Sequence, residues 1–204
     1  MMTLYGMIDS GNCYKPRLAM AKLGIPFRNV EVSSHDGATR SAAFTAKNPN
    51  AMVPLLELDD GRFIAESNAM LLFLAEGTRL LPQDKYARAL TYQWLFFEQY
   101  SHEPYIAVRR ALLTFPSRAK DATPERLAAT LERGNKALGV MDKHLAANDF
   151  FAGDEFSVAD IALYAYTHVA DDGGFDVQRY PAVAAWLRRV EQDPGHVPMD
   201  WLPA

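Results

Sequence analysis

A short hairpin that begins with a Val-Pro pair and ends at a polar helix start is the most constraining feature of this chain. Two apolar runs, Leu55–Leu58 and Arg62–Ala65, flank Asp59-Asp60-Gly61, which is typical of a tight turn between antiparallel strands. Val53-Pro54 comes directly before the hairpin, and Glu66-Ser67 comes directly after it. This order predicts a hairpin that leads polar side chains into the first turn of a helix.

The N-terminal residues carry a matching strand–loop–helix pattern. Met2–Ile8 is apolar enough for a strand, Asp9-Ser10-Gly11-Asn12 predicts a loop, and Lys15–Leu23 has a helical pattern. Pro16 in the first turn and Gly24 just beyond the last residue are typical of helix ends. A second strand at Pro26–Val32 and helices at Thr39–Lys47 and Asn68–Glu76 complete the order strand, helix, strand, helix, strand, strand, helix.

The pattern changes after residue 78, so we expect two domains. Residues 1–78 combine strands with helices, and residues 79–85, which contain Pro82, predict a linker. Residues 86–204 show no strand-like alternation and predict an all-helical domain. Candidate helices are Tyr86–Leu113, Pro124–Ala147, Val158–Ala170 and Pro181–Gln192. The expected fold class is therefore an α/β domain followed by an α-helical bundle, with Ser157 and Asp160 forming a capping box at the start of a central helix.

Composition argues against several kinds of function. Of 204 residues 49% are apolar, so a core can form without disulfides, and the single cysteine suits a reducing, cytoplasmic compartment. The net charge of −4 and the absence of a basic stripe argue against nucleic acid as the main partner. No apolar run approaches the length of a membrane span, and the five histidines lack metal-ligand spacing.

The hairpin and the residues at its two ends resemble the glutathione-binding half of the glutathione transferases, and the element order resembles their thioredoxin-like domain. The resemblance implies that Pro54 follows a cis peptide bond and that Val53 holds the cysteinyl backbone of glutathione. It also implies that Glu66 and Ser67 hold the γ-glutamyl end, where a helix N-terminus favours a carboxylate and a carboxylate side chain pairs with an ammonium group. The same residues have simpler explanations, since Ser67 alone is typical of an N-cap, Glu66 of a solvated strand end and Pro54 of a strand edge.

Ser10 is the position that carries the resemblance to the serine-type members of that family. In those proteins a serine follows the first strand, seven residues before a basic or apolar helix position, and here Ser10 precedes Arg17 by seven. The resemblance implies that the Ser10 hydroxyl donates a hydrogen bond to the glutathione thiolate. Lowering a thiol pKa from about 8.5 to about 6.5 requires about 2.7 kcal/mol. One hydrogen bond to a charged group supplies about 1.5–3 kcal/mol, so the role is large enough.

Two alternatives compete with Ser10 as the reactive position. Ser10 could serve only as a loop or capping residue. Cys13, the single cysteine, lies on the same loop, and a helix N-terminus can depress a thiol pKa, as in the cysteine-type relatives. Because the chain has no Cys-x-x-Cys, an internal dithiol is excluded.

The chain departs from the family where the glycine end of glutathione would bind. Many relatives place Gln, Lys or His just before the Val-Pro pair, whereas this chain has Ala51 and Met52. Met52 is therefore expected to line that end without a polar side chain. Lys47, Arg40 and His35 are candidate substitutes.

The first long helix is unusually aromatic. Tyr92, Phe96 and Tyr100 recur every fourth residue beside a stripe of Trp94 and Phe97. Such stripes are commonly core, but in the family this helix supplies a dimer contact and one wall of the hydrophobic substrate pocket. Pro104 is expected to kink this helix. The candidate pocket residues are Asn12, His102, Tyr105 and Arg109.

The resemblance covers nearly the whole chain and implies a homodimeric glutathione transferase. Glutathione is the expected co-substrate, and its thiolate is expected to attack a small hydrophobic electrophile. No metal, nucleic acid or membrane is expected as a partner. Two alternatives remain: a non-catalytic protein of the same fold that binds glutathione or a hydrophobic ligand, and a redox protein that depends on Cys13.

Overall fold

The computed structural model describes residues 1–203, which form two compact units. The first unit comprises Met1–Glu76 together with the residues from Pro194 onward, and the second comprises Gly77–Asp193. The domains expected from the sequence were residues 1–78 and 86–204. The structure differs from that expectation mainly at the C-terminus, because the chain after Asp193 packs with the first unit.

The first unit is built on a small mixed sheet. Within residues 1–203 the sheet has four strands in the order β2-β1-β3-β4, with β1 parallel to β2 and the other neighbours antiparallel. The strands are β1 (Met2–Gly6), β2 (Phe27–Glu31), β3 (Leu55–Glu57) and β4 (Phe63–Ala65), and the helices are α1 (Gly11–Leu23), α2 (Ala42–Thr45) and α3 (Ser67–Ala75). Because parallel strands need a crossover, α1 connects β1 to β2. The thioredoxin-like order predicted from the sequence is confirmed.

Helix α1 begins four residues earlier than its pattern predicted. Ser10 has an extended backbone, with φ −92° and ψ 120°, and caps the helix at Gly11. Pro16 consequently lies in the second turn rather than the first, where its fixed φ is still compatible with a helix. Gly24 ends the helix in the left-handed conformation with φ 63°, as its position predicted.

The predicted hairpin is present between β3 and β4. Leu55 pairs with Ala65, and the Leu58 N–H donates to the Arg62 carbonyl across the turn at 2.8 Å. Gly61 has φ 83°, a conformation that glycine adopts without steric cost. The hairpin ends at Ala65, so the next two residues lie at the start of α3.

The second unit consists of helices and turns, as the sequence predicted. Its helices are α4 (Lys85–Phe97), α5 (Glu103–Thr114), α6 (Pro124–Leu145), α7 (Val158–Thr167) and α8 (Pro181–Gln192). A capping box forms at the start of α7, where Asp160 accepts from the Ser157 N–H at 2.9 Å. Burial raises the pKa of Asp160 to about 6, against hydrogen bonds that act in the opposite direction. In residues 1–203, none of the helices has both the length and the apolar character needed to cross a bilayer.

A π-helical turn precedes Pro104, where the sequence predicts a kink, and divides the predicted long helix in two. Residues Glu98–His102 form this turn between α4 and α5. The two aromatic stripes of α4 face different surroundings: Trp94 is buried with its ring centroid 4.6 Å from that of Phe151, whereas Phe96 is 74% exposed. One stripe therefore belongs to the core and the other to the surface.

Candidate functional site

The loop between β1 and α1 is a tight turn that closes on Met7. The Ser10 N–H lies 3.4 Å from the Met7 carbonyl oxygen, and the Ser10 Oγ accepts from the Cys13 N–H at 3.4 Å. Because this capping bond uses the hydroxyl oxygen as an acceptor, the hydroxyl proton can be donated to another group. The N-terminus of the 13-residue helix adds partial positive charge. The turn can therefore stabilise an anion beside Ser10.

Cys13 lies inside the first unit rather than on its surface. Its side chain has no exposed area, and its Sγ accepts a hydrogen bond from the Met7 N–H at 3.3 Å. Burial raises the pKa of the Cys13 thiol above its ordinary value, although hydrogen bonds with Ser10 and Met7 lower it in part. A buried thiol with a raised pKa is a poor nucleophile, so the geometry favours a structural role.

The segment before the hairpin has an unusual backbone. The Val53–Pro54 peptide bond is cis, and Ala51 has φ 54°. The Asn48 side chain holds this segment by donating from Nδ2 to the Met52 carbonyl oxygen at 2.8 Å. The side chain of Met52 is 57% exposed and offers no polar group to a ligand carboxylate.

Glu66 and Ser67 stand at the start of α3 with opposite exposure. Glu66 is exposed and has φ 68°, a conformation that few residues other than glycine adopt. Ser67 is 5% exposed and is the first residue of the helix, so it is not the N-cap. Backbone outliers of this kind persist only where the surrounding fold maintains them. They are frequent at binding sites.

A buried lysine joins α1 to the start of α3. Lys15 has no exposed area, and its Nζ donates to the Ser67 Oγ at 3.3 Å and to the Asn68 Oδ1 at 3.2 Å. The Ser67 hydroxyl in turn donates to the Asn12 Oδ1 at 3.3 Å. The cluster places an ammonium group directly behind the Glu66-Ser67 corner. Sequence reasoning missed Lys15, and the only available signal was its spacing of three from Asn12, which places both on one side of a helix.

The candidate substitutes for glycine-end recognition are placed differently from one another. The Lys47 Nζ donates to the Tyr5 hydroxyl at 2.6 Å and lies 3.4 Å from the Glu57 Oε2. The hydrogen bond with Tyr5 is the main cause of the raised pKa of Lys47. Arg40 and His35 are exposed. The charge of Lys47 is thus largely balanced within the sheet.

Of the pocket candidates in the second unit, Tyr105 lines a groove. His102 and Arg109 do not line this groove. The groove has a volume of about 360 Å³ and includes Phe97, Tyr100 and Arg133, whose guanidinium donates to the Tyr105 hydroxyl at 3.0 Å. His102 has no exposed area and bonds through Nε2 to the Thr167 Oγ1 at 2.9 Å.

Arg109 is committed to joining segments of the second unit. Its guanidinium donates to the Gly173 carbonyl at 2.6 Å and to the Leu127 carbonyl. Burial lowers the pKa of Arg109. Its contacts are therefore those of a residue that stabilises packing.

Comparison with known proteins agrees with this geometry. Residues 9–76 match the family model described as glutathione S-transferase, N-terminal domain, and residues 124–189 match the model described as glutathione S-transferase, C-terminal domain. The first match includes Ser10, the hairpin and Glu66-Ser67. The second includes the capping box of α7.

Similar proteins cover nearly the whole chain. The crystal structure of a possible glutathione S-transferase from Rhodopseudomonas palustris is 51% identical, with a TM-score of 0.95 over 99% of each chain. That of a glutathione S-transferase from Pseudomonas fluorescens is 49% identical, with a TM-score of 0.94 over 97% of this chain and 98% of that one. The glutathione S-transferase-like protein FUS3 of Gibberella moniliformis is 32% identical, covering 94% of this chain and 88% of its own length. This chain therefore belongs to the glutathione S-transferase family.

Proposed function

We propose that this chain is a glutathione transferase in which Ser10 activates the glutathione thiol for attack on a small hydrophobic electrophile. The observation that carries the proposal is the Ser10 turn, where a serine caps a 13-residue helix through its Oγ and places a hydroxyl group at the helix end that favours an anion. The buried state of Cys13 supports Ser10 over the cysteine as the group that acts at this turn.

Glutathione binding is proposed at the corner where the hairpin meets α3. The exposed carboxylate of Glu66 would pair with the γ-glutamyl ammonium group, and the first N–H groups of α3 would face the γ-glutamyl carboxylate. Lys15 supports this arrangement because its buried ammonium group lies 3.3 Å from the Ser67 Oγ and adds positive charge behind the carboxylate. Val53 would pair its backbone with the cysteinyl part of the tripeptide, and Met52 would lie beside the glycine end.

The proposed ionisation of the thiol depends on two groups, the Ser10 hydroxyl and the N-terminus of α1. Binding would bring the thiol beside the Ser10 hydroxyl, the thiol proton would leave to solvent, and the resulting thiolate would accept the Ser10 hydrogen bond. A hydrogen bond to a charged group contributes about 1.5–3 kcal/mol. That energy corresponds to a decrease of about one to two in the thiol pKa, which is enough to ionise glutathione near neutral pH. The thiolate would then form a carbon–sulfur bond as the leaving group departs from the electrophile.

A homodimer is proposed from the surface of the second unit. Tyr86, Phe96 and Tyr100 are 72%, 74% and 83% exposed, and Val140 beside the groove is 43% exposed. Contiguous exposed apolar patches mark interaction surfaces, and we propose that these side chains contribute to such a patch. A second copy of the chain is the partner that the family resemblance favours.

The decisive test compares Ser10→Ala with Cys13→Ala. We expect Ser10→Ala to retain most of the affinity for glutathione and to raise the pKa of the bound thiol by about one to two. Turnover at pH 6.5 with a reactive electrophile should fall about ten- to hundredfold and recover in part at high pH, where glutathione ionises unaided. Cys13→Ala should change turnover by less than about threefold, because the thiol is structural. Loss of activity in Cys13→Ala with an unchanged thiol pKa in Ser10→Ala would replace the serine mechanism with a cysteine mechanism.

The second candidate function is a non-catalytic protein that binds glutathione or a hydrophobic ligand. The exposed, non-polar Met52 favours it, since the glycine carboxylate has no polar side chain at that position. Calorimetry with glutathione and a turnover screen across halides, enones, epoxides and peroxides separate the two functions. Binding without turnover on any electrophile class would support the second candidate.

A further inference from the structure

We infer that the C-terminal segment Val197–Trp201 is part of the thiol-activating site, because it holds the Ser10 turn in place through Arg17. This inference rests on the proposed function of Ser10. It makes Arg17 a positioning residue that acts through Ser10 and does not itself touch glutathione. It also assigns a role to residues that no family-model match covers, since the C-terminal match ends at residue 189.

The Arg17 guanidinium contacts both the loop after β1 and the C-terminal segment. Arg17 lies on the buried side of α1 and has no exposed area. Its Nη1 donates to the Met7 carbonyl at 3.2 Å, and its Nη2 donates to the Ile8 carbonyl and the Met199 carbonyl, both at 2.8 Å. One buried cation therefore connects the loop after β1 to the C-terminal segment.

Arg17 and Ser10 share the Met7 carbonyl oxygen as an acceptor. The Ser10 N–H lies 3.4 Å from the same Met7 oxygen that Arg17 contacts at 3.2 Å. The Met7 N–H is held on its other side by the Cys13 Sγ. Both polar groups of the Met7 backbone therefore have partners, and the carbonyl is the one that Arg17 shares with the Ser10 turn. Movement of Arg17 would change the turn that sets the direction of the Ser10 hydroxyl.

The C-terminal segment packs against α1 and β2. The Tyr14 hydroxyl donates to the Val197 carbonyl at 2.6 Å, and the Trp201 ring centroid lies 6.2 Å from that of Phe27. At Gly195, which has φ 79°, an added Cβ would lie 2.9 Å from the Lys22 Cα, so the chain approaches the helix closely just before the segment. These contacts hold the Met199 carbonyl in a defined position against Arg17.

These contacts give a physical reason why the C-terminal segment and the Ser10 hydroxyl should be coupled. A buried guanidinium has five N–H donors that need acceptors, and a buried donor without a partner is costly. If the Met199 carbonyl were withdrawn, the guanidinium would lose a short hydrogen bond and gain access to water. We expect it to turn toward solvent and loosen its hold on Met7, which would let the Ser10 hydroxyl leave its aligned position.

The first experiment compares two shortened chains by ultraviolet titration of the glutathione thiolate in the complex. The test chain ends at His196 and lacks the Val197 and Met199 carbonyls, and the matched control ends at Trp201 and keeps both. In the test chain we expect the pKa of the bound thiol to rise in the same direction as in Ser10→Ala. Turnover at pH 6.5 should fall about three- to tenfold and recover at higher pH. The affinity for glutathione should stay within about twofold, because the Glu66-Ser67 corner is unchanged. The control should match the full chain.

The second experiment uses the full-length chain and asks whether Arg17 acts through Ser10. Arg17→Met removes the donors at similar length, and Arg17→Lys keeps a charge without the forked geometry, so the lysine variant should be intermediate. The double variant Arg17→Met with Ser10→Ala should turn over within about twofold of Ser10→Ala alone, because coupled residues are not additive. Tyr14→Phe, which removes the hydroxyl that donates to the Val197 carbonyl, should have a smaller effect than Arg17→Met.

The outcomes separate this inference from the proposed function. If Ser10→Ala leaves the thiol pKa unchanged, the serine mechanism fails and this inference fails with it. If Ser10→Ala raises the thiol pKa but a folded Arg17→Met and a folded His196-ending chain do not, only the inference is overturned. Additive losses in the double variant would also overturn it, since Arg17 would then act independently of Ser10. Should the Met variant or the shortened chain fail to fold, the Arg17→Lys and Tyr14→Phe titrations decide.

Discussion

The Sγ of Cys13 accepts a hydrogen bond from the backbone N–H of Met7, 3.3 Å away, within the interior of the first unit. The only cysteine of the chain therefore supports the backbone from which the Ser10 turn begins. A residue type that suggests a reactive thiol in the sequence is an acceptor for a buried N–H group in the structure.

This relationship predicts that Cys13 resists alkylation in the folded protein. Because the thiol has no exposed area and burial raises its pKa, iodoacetamide at pH 8 should label the native chain at least about a hundredfold more slowly than the chain in denaturant. Mass spectrometry measures the labelling, and a single cysteine makes the result unambiguous. Rapid, complete labelling of the native protein would show an accessible thiol and contradict the structural role.

The raised thiol pKa also fixes the sign of a pH dependence. The folded pKa lies above the unfolded value of 9.0, so the thiol contributes stability that is present below pH 9 and is lost as pH rises through the folded pKa. The free energy of unfolding of the native sequence should therefore decline above pH 9 more steeply than that of Cys13→Ala. Parallel pH profiles of the two proteins would show that the thiol does not contribute.

The corner at Glu66 and Ser67 predicts where affinity for glutathione originates. Glu66→Ala combined with Ser67→Ala should weaken binding at least about tenfold, or about 1.4 kcal/mol, because the ammonium partner is removed and the Ser67 hydroxyl that holds Lys15 at the start of α3 is lost. Calorimetry measures the change, and Glu132→Ala, which removes an exposed carboxylate from α6, is the matched control. Equal affinity in a folded double variant would place glutathione elsewhere.

The capping box of α7 predicts unequal stability losses at its two members. Asp160 accepts from the Phe151 N–H, the Ser157 N–H and the Trp186 indole, whereas the Ser157 Oγ caps the helix by accepting from the Ala159 N–H. Ser157→Ala should cost about 1 kcal/mol as the loss of a cap. Asp160→Ala should cost at least about 3 kcal/mol, because buried donors lose their partner. Denaturant titrations at fixed pH compare the two, and equal losses would argue against the wider network around Asp160.

The exposed aromatic surface of the second unit predicts self-association. Light scattering at micromolar concentration should report about twice the 22.8 kDa mass of the chain. Phe96→Asp combined with Tyr100→Asp should shift the protein toward monomer, because two charges would be buried without partners. Leu202→Asp, a change at an exposed apolar residue of the first unit, should leave the mass unchanged. A native protein that is monomeric at every accessible concentration would refute the dimer.

Several parts of the fold and the site were predictable from short stretches of sequence. The turn at Asp59-Asp60-Gly61, the Gly24 helix end and the Ser157–Asp160 capping box depend on residues within a few positions of one another. Ser10 was also assigned from its place after the first strand, and the structure adds that it caps α1. Where local rules competed, one was wrong: Pro16 predicted a later helix start, whereas the Ser10 cap set an earlier one.

The sequence by itself determined this protein's family, its element order and the positions of its turns and caps, because backbone dihedral preferences and neighbouring hydrogen bonds are local. Only the tertiary structure decided the destinations of Lys15, Arg17 and the C-terminal segment. Lys15 meets Ser67 across 52 positions, and Arg17 meets Met199 across 182. Charged residues in a helical pattern predict exposure, so no local signal marks the few that are buried. They are stable there because distant backbone carbonyls and side-chain oxygens accept hydrogen bonds from their charged groups, and those partners are brought together only when the chain folds.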